Sequence, residues 1–119
     1  LSSMTPTIVA KDNDLFMVIG TPGGSTIITS VFQNIVNVID FDMTMQESIN
    51  APRFHHQWLP DHISVEKSFD GLVLSALEKK NYTISKREAI GRVDGILVHP
   101  NKLLEGGADP RGDDVAVGF

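Results

Sequence analysis

The fold is decided by residues 15–39, which read LFMVIGTPGGSTIITSVFQNIVNVI. The run of apolar and β-branched residues that ends at Gly20 predicts a buried strand. After the glycine pair, apolar residues recur at helical spacing and form one wide face; they are Ile27, Ile28, Val31, Phe32, Ile35, Val36 and Ile39. The stretch therefore predicts a strand, a sharp turn and a helix that begins near Ser25.

Elsewhere the chain predicts short elements in a mixed order. Residues 7–10 form another apolar run, and the polar cluster at 11–14 that separates the two runs has the Asp and Asn residues of a turn. We therefore expect a β-hairpin, with both faces of its strands covered because the two runs are nearly continuous. Further strands are expected at 62–66 and 82–85, a second hairpin at 95–99 and 102–105, and loops at 52–60 and 106–114.

Two shorter helices complete the predicted elements. Thr44 and Glu47 have the spacing of a capping box, and the helix that they open should stop near Asn50 because Pro52 follows. A second helix is expected over 70–80, with its buried face formed by Val73, Ala76 and Leu77. Helices mixed with hairpins predict an α+β layered sandwich whose sheet is mostly antiparallel.

Composition excludes several classes of protein. The 119 residues are 41% hydrophobic and 21% charged, which is typical of a globular chain, and at this length residues 1–119 form a single domain or part of a larger one. A net charge of -5 without clustered Lys or Arg argues against a nucleic-acid surface. No apolar run approaches the roughly 20 residues of a membrane span. The absence of cysteine excludes disulfides, zinc-thiolate sites and a cysteine nucleophile.

The turn at Thr21–Ser25 is the candidate functional feature. Two glycines let the backbone turn sharply and let another group approach the amides of Gly23 and Gly24. Amides at a helix N-terminus suit a carboxylate, a phosphate or a developing oxyanion. The pattern lacks the Gly-Lys-Ser/Thr of a P-loop and the Gly-x-Gly-x-x-Gly of a dinucleotide site, which argues against nucleotide binding. The alternative is a plain tight turn in which Ser25 caps the helix.

Two serines near the N-terminus are candidate companions of this turn. Ser2 and Ser3 precede the first strand, and folding of the first hairpin would bring them to the sheet end that holds Gly23 and Gly24. Two hydroxyls and two amides together suit a ligand carboxylate as well as an oxyanion. The alternative is that the serines are solvated residues near a chain end.

Other polar and aromatic clusters have structural interpretations. Adjacent His55 and His56 point to opposite sides of an extended segment, so we expect packed or hydrogen-bonded roles and no metal site. Trp58 is interpreted as a core or interface anchor. Three aspartates follow near the C-terminus with an arginine among them, and a salt-bridged tail is favoured over a cation site; they are Asp109, Asp113 and Asp114, with Arg111.

Four motifs in order resemble the C-terminal part of the small subunit of a γ-glutamyltranspeptidase. They are LSSMTPT at 1–7, GTPGGS at 20–25, NAPRFHHQW at 50–58 and ADPRGDD at 108–114. The resemblance spans nearly the whole chain, and four motifs in register are more specific than the glycine turn alone. It implies an N-terminal-nucleophile hydrolase fold, an αββα sandwich, and an enzyme that moves the γ-glutamyl group of glutathione-like donors to water or an acceptor amine.

The resemblance also implies roles for residues of this chain. Ser2 and Ser3 match a serine pair that binds the donor's α-carboxylate, and Gly23 and Gly24 match the glycines of the oxyanion hole. The family's nucleophile is an N-terminal threonine freed by autoproteolysis. This chain begins with Leu1, so we expect a cut N-terminus, with the nucleophile, the rest of the small subunit and the large subunit upstream.

Further expectations follow from the same resemblance. No cofactor is expected, and a periplasmic or extracellular location is implied. Family members often carry a basic residue where this chain has Thr26, a position expected to face along the helix. The fragment alone should be inactive and should self-associate through uncovered strand edges. The alternatives are a non-catalytic domain of the same fold that binds a carboxylate or a partner chain, and a related amide acylase.

Overall fold

Seven strands and three helices follow one another along residues 4–118, the part of the chain that the computed structural model describes. The strands are β1 Thr7–Lys11, β2 Asp14–Gly20, β3 Phe54–His55, β4 Ile63–Glu66, β5 Ile84–Arg87, β6 Asp94–Val98 and β7 Leu104–Gly107. The helices are α1 Ile27–Asp40, α2 Met45–Asn50 and α3 Gly71–Glu78, and a 3₁₀ turn, Gly24–Thr26, leads into α1. The predicted α+β class is confirmed.

An antiparallel sheet with the strand order β1-β2-β6-β7 forms the larger layer. Its first hairpin, as predicted, joins β1 to β2 through Asp12 and Asn13, whose φ angles of 54° and 65° are those of a tight two-residue turn. The second predicted hairpin is also confirmed, since β6 pairs antiparallel with β7, although β7 begins later than expected. Because β6 pairs with β2, the two hairpins form one continuous sheet.

A second sheet has the order β3-β4-β5. Strand β3 lies inside the segment 52–60 that was predicted to be a loop, and it pairs antiparallel with β4. Strands β4 and β5 pair in parallel, and α3 connects them. A parallel pair needs a crossover of this kind, whereas the predicted hairpins need only short turns.

Helix α2 begins as its sequence indicates. In α2 the capping box is complete, because the Thr44 side chain accepts from the Glu47 amide and the Glu47 side chain accepts from the Thr44 amide. The core lies between the larger sheet and the inner faces of α1 and α2. Its buried residues are Met17, Ile19, Val31, Val38, Met45, Ile49, Val93 and Leu97.

Two burial predictions are wrong. The first hairpin is not covered on both faces within the described chain, because Ile8 on β1 is 72% exposed. In α3 the buried residue is Leu74, whereas Val73 and Ala76 are exposed and Leu77 is only partly buried. Apolar side chains occur on most faces of this short helix, so their spacing does not identify the inner one.

The helices described within residues 4–118 are all too short, or too polar, to cross a membrane.

Candidate functional site

The turn between β2 and α1 has a backbone that requires glycine. Gly23 has φ 144° and Gly24 has φ 59°, both in the region that L-residues with side chains rarely adopt. A Cβ on Gly23 would lie 2.6 Å from Thr26 Oγ1, whereas a Cβ on Gly24 would meet no atom within 4 Å. Gly23 is therefore packed against the turn, whereas Gly24 faces open space.

The amides of Gly23 and Gly24 are free donors. Both residues are exposed, and no group of the described chain accepts a hydrogen bond from either amide. They lie at the start of the 3₁₀ turn, which leads into the 14-residue α1, and neither the turn nor α1 has an acidic residue in its first turn. The positive end of the helix dipole is thus not neutralised by a neighbouring carboxylate, and the turn can receive an anion.

The alternative interpretation, in which Ser25 caps the helix, is wrong. Gly23 is the N-cap of the 3₁₀ turn and Thr26 is the N-cap of α1, and neither position has a side-chain capping bond. Serine and threonine are good caps only when their side chain accepts from a backbone amide two or three residues later. Here the helix begins without such a bond, and the amides of Thr26 and Ile27 instead donate to the carbonyls of Gly23 and Gly24.

Thr21 holds the carbonyl of the residue that follows it. Its side chain is fully buried, and Oγ1 donates to the Pro22 carbonyl oxygen at 2.6 Å. The same Oγ1 accepts from the backbone amide of Arg92 at 2.8 Å. Sequence reasoning assigned no role to Thr21; the only local signal was a hydroxyl residue directly before the Pro-Gly-Gly turn.

Thr26 folds back onto the turn. Its Oγ1 donates to the Gly23 carbonyl oxygen at 2.9 Å, and its backbone amide donates to the same oxygen at 3.2 Å. The side chain is 4% exposed. The expectation that Thr26 faces along the helix is therefore wrong, because its hydroxyl donates to the carbonyl of Gly23, which precedes the helix.

Gly91 packs against the back of the turn. Its φ is 70°, and a Cβ there would lie 2.9 Å from both Thr21 Oγ1 and Ser30 Oγ. Its Cα would lie 3.5 Å from a Cβ built on Gly23. Only glycine therefore allows the segment 90–93 to approach the turn this closely. Sequence reasoning missed this residue, which lies far from the turn in sequence.

A buried ionic network holds the segment 90–93 in place. Glu66 accepts from the amide of Ile90 at 2.8 Å and Asp109 accepts from the amide of Val93 at 2.6 Å. Two arginines neutralise these carboxylates: Arg53 pairs with Asp109 at 2.8 Å, and Arg111 pairs with both carboxylates. Arg53 Nη1 also donates to the Ile90 carbonyl at 2.8 Å.

The network keeps both carboxylates ionised. Burial by itself would raise the pKa of Glu66, but hydrogen bonds from Arg111 and from backbone amides outweigh it, and the pKa lies below its usual range. The pKa of Asp109 is lowered in the same way, with burial opposed by the amides of Val93 and Arg111 and by the charge of Arg53. Burial lowers the pKa of Arg53, and the charge of Asp109 opposes that effect.

The salt-bridged interpretation of the C-terminal aspartates is confirmed. Asp109 is fully buried, whereas Asp113 and Asp114 both pair with Arg92 near the surface. The pKa of Arg92 is raised by its hydrogen bond to Asp114, and the pKa of Asp113 is lowered by a hydrogen bond from its own backbone amide and by the hydrogen bond from Arg92. Asp109 is therefore a member of the buried network, whereas Asp113 and Asp114 are ion-pair partners of Arg92.

The histidines have the expected hydrogen-bonded roles. His55 is 6% exposed, with Nδ1 2.8 Å from Thr29 Oγ1 and Nε2 3.0 Å from Gln57 Oε1. His56 Nε2 lies 3.2 Å from the Asp61 carboxylate. Trp58 is 79% exposed, so its interpretation as a core residue is wrong, while its role as an interface anchor stays a prediction.

Ser2 and Ser3 lie outside the described residues. The segment that follows them passes against Gly20 at the end of β2: a Cβ on Gly20 would lie 3.6 Å from Pro6 Cα and 3.7 Å from the Thr5 carbonyl oxygen. The described chain next to the serines thus runs beside the residue that enters the turn.

Comparison with known proteins gives the family context. A family model described as gamma-glutamyltranspeptidase matches residues 1–119. The chain is 50% identical over 120 residues to a glutathione hydrolase proenzyme of Escherichia coli, which covers 100% of this chain and 21% of that protein. It is 38% identical over 121 residues to the proenzyme of Pseudomonas aeruginosa, covering 98% of this chain and 22% of the relative. The chain thus spans about a fifth of the length of these relatives.

Solved structures agree with the sequence relatives. A mutant of gamma-glutamyltranspeptidase from Helicobacter pylori superimposes with a TM-score of 0.89 at 47% identity, over 94% of this chain and 62% of that one. The enzyme from Pseudomonas nitroreducens in complex with L-DON superimposes with a TM-score of 0.89 at 40% identity, over 100% of this chain and 63% of that one.

Proposed function

The chain belongs to the γ-glutamyltranspeptidase family, and from this membership we propose that it is the C-terminal portion of the small, catalytic subunit of such an enzyme. The complete enzyme transfers or hydrolyses the γ-glutamyl group of glutathione and related γ-glutamyl amides. The observation that carries the proposal is the pair of free, exposed glycine amides at the start of α1. Residues 1–119 contribute anion-binding groups to a site that the rest of the protein completes.

Gly23 and Gly24 form the oxyanion hole of this reaction. A threonine hydroxyl from upstream attacks the γ-carbonyl carbon of the donor, and the carbonyl oxygen becomes an oxyanion that the two amides stabilise. The C–N bond then breaks, the amine leaves with a proton, and the γ-glutamyl group remains as an ester of the threonine. Water or an acceptor amine takes the group from that ester and regenerates the hydroxyl.

Ser2 and Ser3 bind the α-carboxylate of the donor. The support is their match to the family's serine pair and the path of residues 4–6, which run against Gly20 beside the turn. A hydroxyl that donates to a charged carboxylate contributes about 1.5–3 kcal/mol. The serines therefore select a donor with a free α-carboxylate, and the amides of the two glycines stabilise the oxyanion that forms at its γ-carbonyl.

The partners of this chain are the upstream remainder of the small subunit and the large subunit. The support is the open face of the larger sheet, where apolar residues are exposed; they include Ile8 at 72% and Ile96 at 44%. In an αββα sandwich a sheet of this kind packs against a second sheet. A periplasmic or extracellular location fits the family and remains part of this proposal.

The test of this function is a kinetic comparison of glycine variants in the full-length protein. With a γ-glutamyl anilide as donor, we expect Gly23→Ala and Gly24→Ala to lower kcat by up to about 10²–10³-fold, the loss typical of one missing oxyanion-hole donor. Alanine keeps the amide N–H, but it does not readily adopt the φ of 144° or 59° that sets the direction of that amide. Gly71→Ala is the matched control, because a Cβ at that exposed helix start meets no atom within 4 Å. The isolated chain should release no product.

Two outcomes contradict the proposal. Wild-type kcat in both glycine variants shows that the turn does not stabilise the transition state. A full-length protein with no activity toward any γ-glutamyl amide, while still binding a carboxylate ligand, indicates instead a non-catalytic domain of the same fold.

A further inference from the structure

We propose that Thr21 is a positioning residue that aims the amide of Gly23, and that Thr26 does the same for the amide of Gly24. The inference rests on the proposed function, because it concerns how the two oxyanion-binding amides acquire a fixed direction. The buried hydroxyls of Thr21 and Thr26 contact carbonyl groups of the turn on its buried side and leave its exposed side open.

A turn built from two glycines needs such a device. The ring of Pro22 fixes its own φ, but the peptide group that follows rotates about ψ of Pro22 and φ of Gly23, and glycine restricts that rotation little. A donor that must stabilise an oxyanion acts best when its direction is set before the reaction. The direction of each amide therefore has to come from contacts outside the glycines.

Thr21 supplies that contact for the first peptide group. The Pro22–Gly23 bond is not among the cis bonds of the described chain, so its carbonyl and its N–H point in opposite directions across one plane. The Thr21 hydroxyl holds the Pro22 carbonyl at 2.6 Å from a fully buried position. The N–H of Gly23 is consequently turned toward the exposed side.

The hydroxyl of Thr21 is itself oriented by a neighbouring segment. A hydroxyl has one proton to donate, and the Arg92 amide at 2.8 Å can only donate to it. The proton of Thr21 is therefore left for the Pro22 carbonyl. The amide of Arg92 is in turn fixed because Glu66 and Asp109 hold the flanking amides of Ile90 and Val93.

Thr26 supplies the contact for the second peptide group, with a difference that can be tested. The Gly23 carbonyl receives both the Thr26 hydroxyl at 2.9 Å and the Thr26 amide at 3.2 Å. The Gly24 N–H in the same plane is thereby directed away from the helix. Among the described residues, the Pro22 carbonyl accepts a hydrogen bond only from the Thr21 hydroxyl. Loss of that hydroxyl should therefore disturb the turn more than loss of the Thr26 hydroxyl.

The experiment compares hydroxyl variants in the full-length protein with a γ-glutamyl anilide as donor. We expect Thr21→Val to lower kcat at least about tenfold while KM stays within about twofold, because the ground-state donor makes little use of the oxyanion contact. Thr26→Val should lower kcat by a smaller factor, since the backbone donor remains. Thr21→Ser keeps the hydroxyl and should restore most of the activity.

Thr29→Val is the matched control. It removes a hydroxyl from the first turn of α1 that contacts the Thr26 carbonyl and His55 and no carbonyl of the glycine turn, so kcat should equal that of the wild type. The proposal is overturned if Thr21→Val retains wild-type kcat, or if Thr21→Ser loses as much as Thr21→Val. A general loss of packing would lower kcat in both Thr21→Val and Thr21→Ser and would change KM as well.

The outcomes separate this inference from the proposed function. An active protein that is sensitive to Gly23→Ala and insensitive to Thr21→Val retains the function and refutes the positioning role. If Thr21→Val does not fold, Thr21→Ala removes the same hydroxyl with less bulk. If neither variant folds, the hydroxyl is a requirement of the fold itself and the positioning role is rejected.

Discussion

At the scale of single residues, the molecule depends most on two buried carboxylates. Glu66 receives the amides of Arg53 and Ile90 together with the guanidinium of Arg111. Asp109 receives two backbone amides and contacts both arginines. Every carboxylate oxygen is thereby used, which is the condition under which buried charge is tolerated. The backbone that supports the glycine turn is attached to these two side chains.

The first prediction at this scale concerns Asp109→Asn. The variant keeps the shape of the side chain and removes its charge, so Arg53, whose side chain is 2% exposed, loses its buried partner. Breaking a buried ion pair on one side costs about 3–5 kcal/mol of unfolding free energy, which urea denaturation of the chain would measure. Asp113→Asn is the control: its side chain is 95% exposed and the variant should be as stable as the wild type. Equal stability of both variants would contradict the role of the network.

At the scale of elements, α1 carries apolar residues on two faces. The inner face packs on the larger sheet, and the outer face exposes a stripe spaced four and seven residues apart. The stripe consists of Ile28, Phe32 and Ile39, which are 75%, 62% and 50% exposed. This spacing is that of a helix that packs against another helix. We therefore expect α1 to make a second contact outside the described chain.

Self-association of the isolated chain is the prediction at this scale. The exposed stripe and the edge strand β1 should give a particle mass above that of a monomer in light scattering. Phe32→Glu places a charge in the centre of the stripe and should lower the mass. Leu72→Glu changes a side chain that is 82% exposed on α3, outside the stripe, and should have less effect. A monomeric wild-type chain would refute this prediction.

At the scale of the whole molecule, the fold is that of an N-terminal-nucleophile hydrolase, an αββα sandwich of which this chain forms part. The larger sheet packs on α1 and α2 with one face, and its other face exposes Ile8 and Ile96 in the described chain. The ionic network connects the second sheet, through Arg53 and Glu66, to the C-terminal segment that contains Asp109 and Arg111. Stability of the whole therefore depends on charges that join distant segments.

Acid should destabilise the folded chain. The pKa values of Glu66 and Asp109 are lowered by folding, so their contribution to stability is complete above the unfolded values near 4 and is lost as pH falls through the folded values. The pKa of Asp94 is raised by burial and by the charge of Asp114, which acts in the opposite direction. Folding lowers the pKa of two buried carboxylates and raises the pKa of Asp94, which is exposed. We therefore expect the thermal unfolding temperature to fall steadily below about pH 4.

Glu66→Gln tests which groups cause this acid sensitivity. The variant removes one of the two carboxylates that titrate, so its unfolding temperature should be lower at neutral pH and should depend less on pH between about 5 and 3. Circular dichroism measures both profiles. Parallel profiles for the wild type and the variant would show that the acid sensitivity arises elsewhere in the chain.

Local patterns in the sequence determine the order of the elements and the location of the turn. The strand at 15–19, the helix after Gly24 and the capping box at Thr44 follow from side-chain spacing and from hydrogen bonds between near neighbours. The glycine turn was found in the same way, because its chemistry depends on the backbone of consecutive residues. The family motifs identified the protein family for the same reason.

Only the tertiary structure decides what holds the turn in shape. The contact of Gly91 with Thr21, and the attachment of the segment 90–93 to Glu66 and Asp109, join residues that are far apart in sequence. No local pattern specifies such pairs, because they depend on how the two sheets and the C-terminal segment pack together. The direction of the Thr21 hydroxyl is likewise set by an amide 71 residues away, and it exists only when the chain has folded.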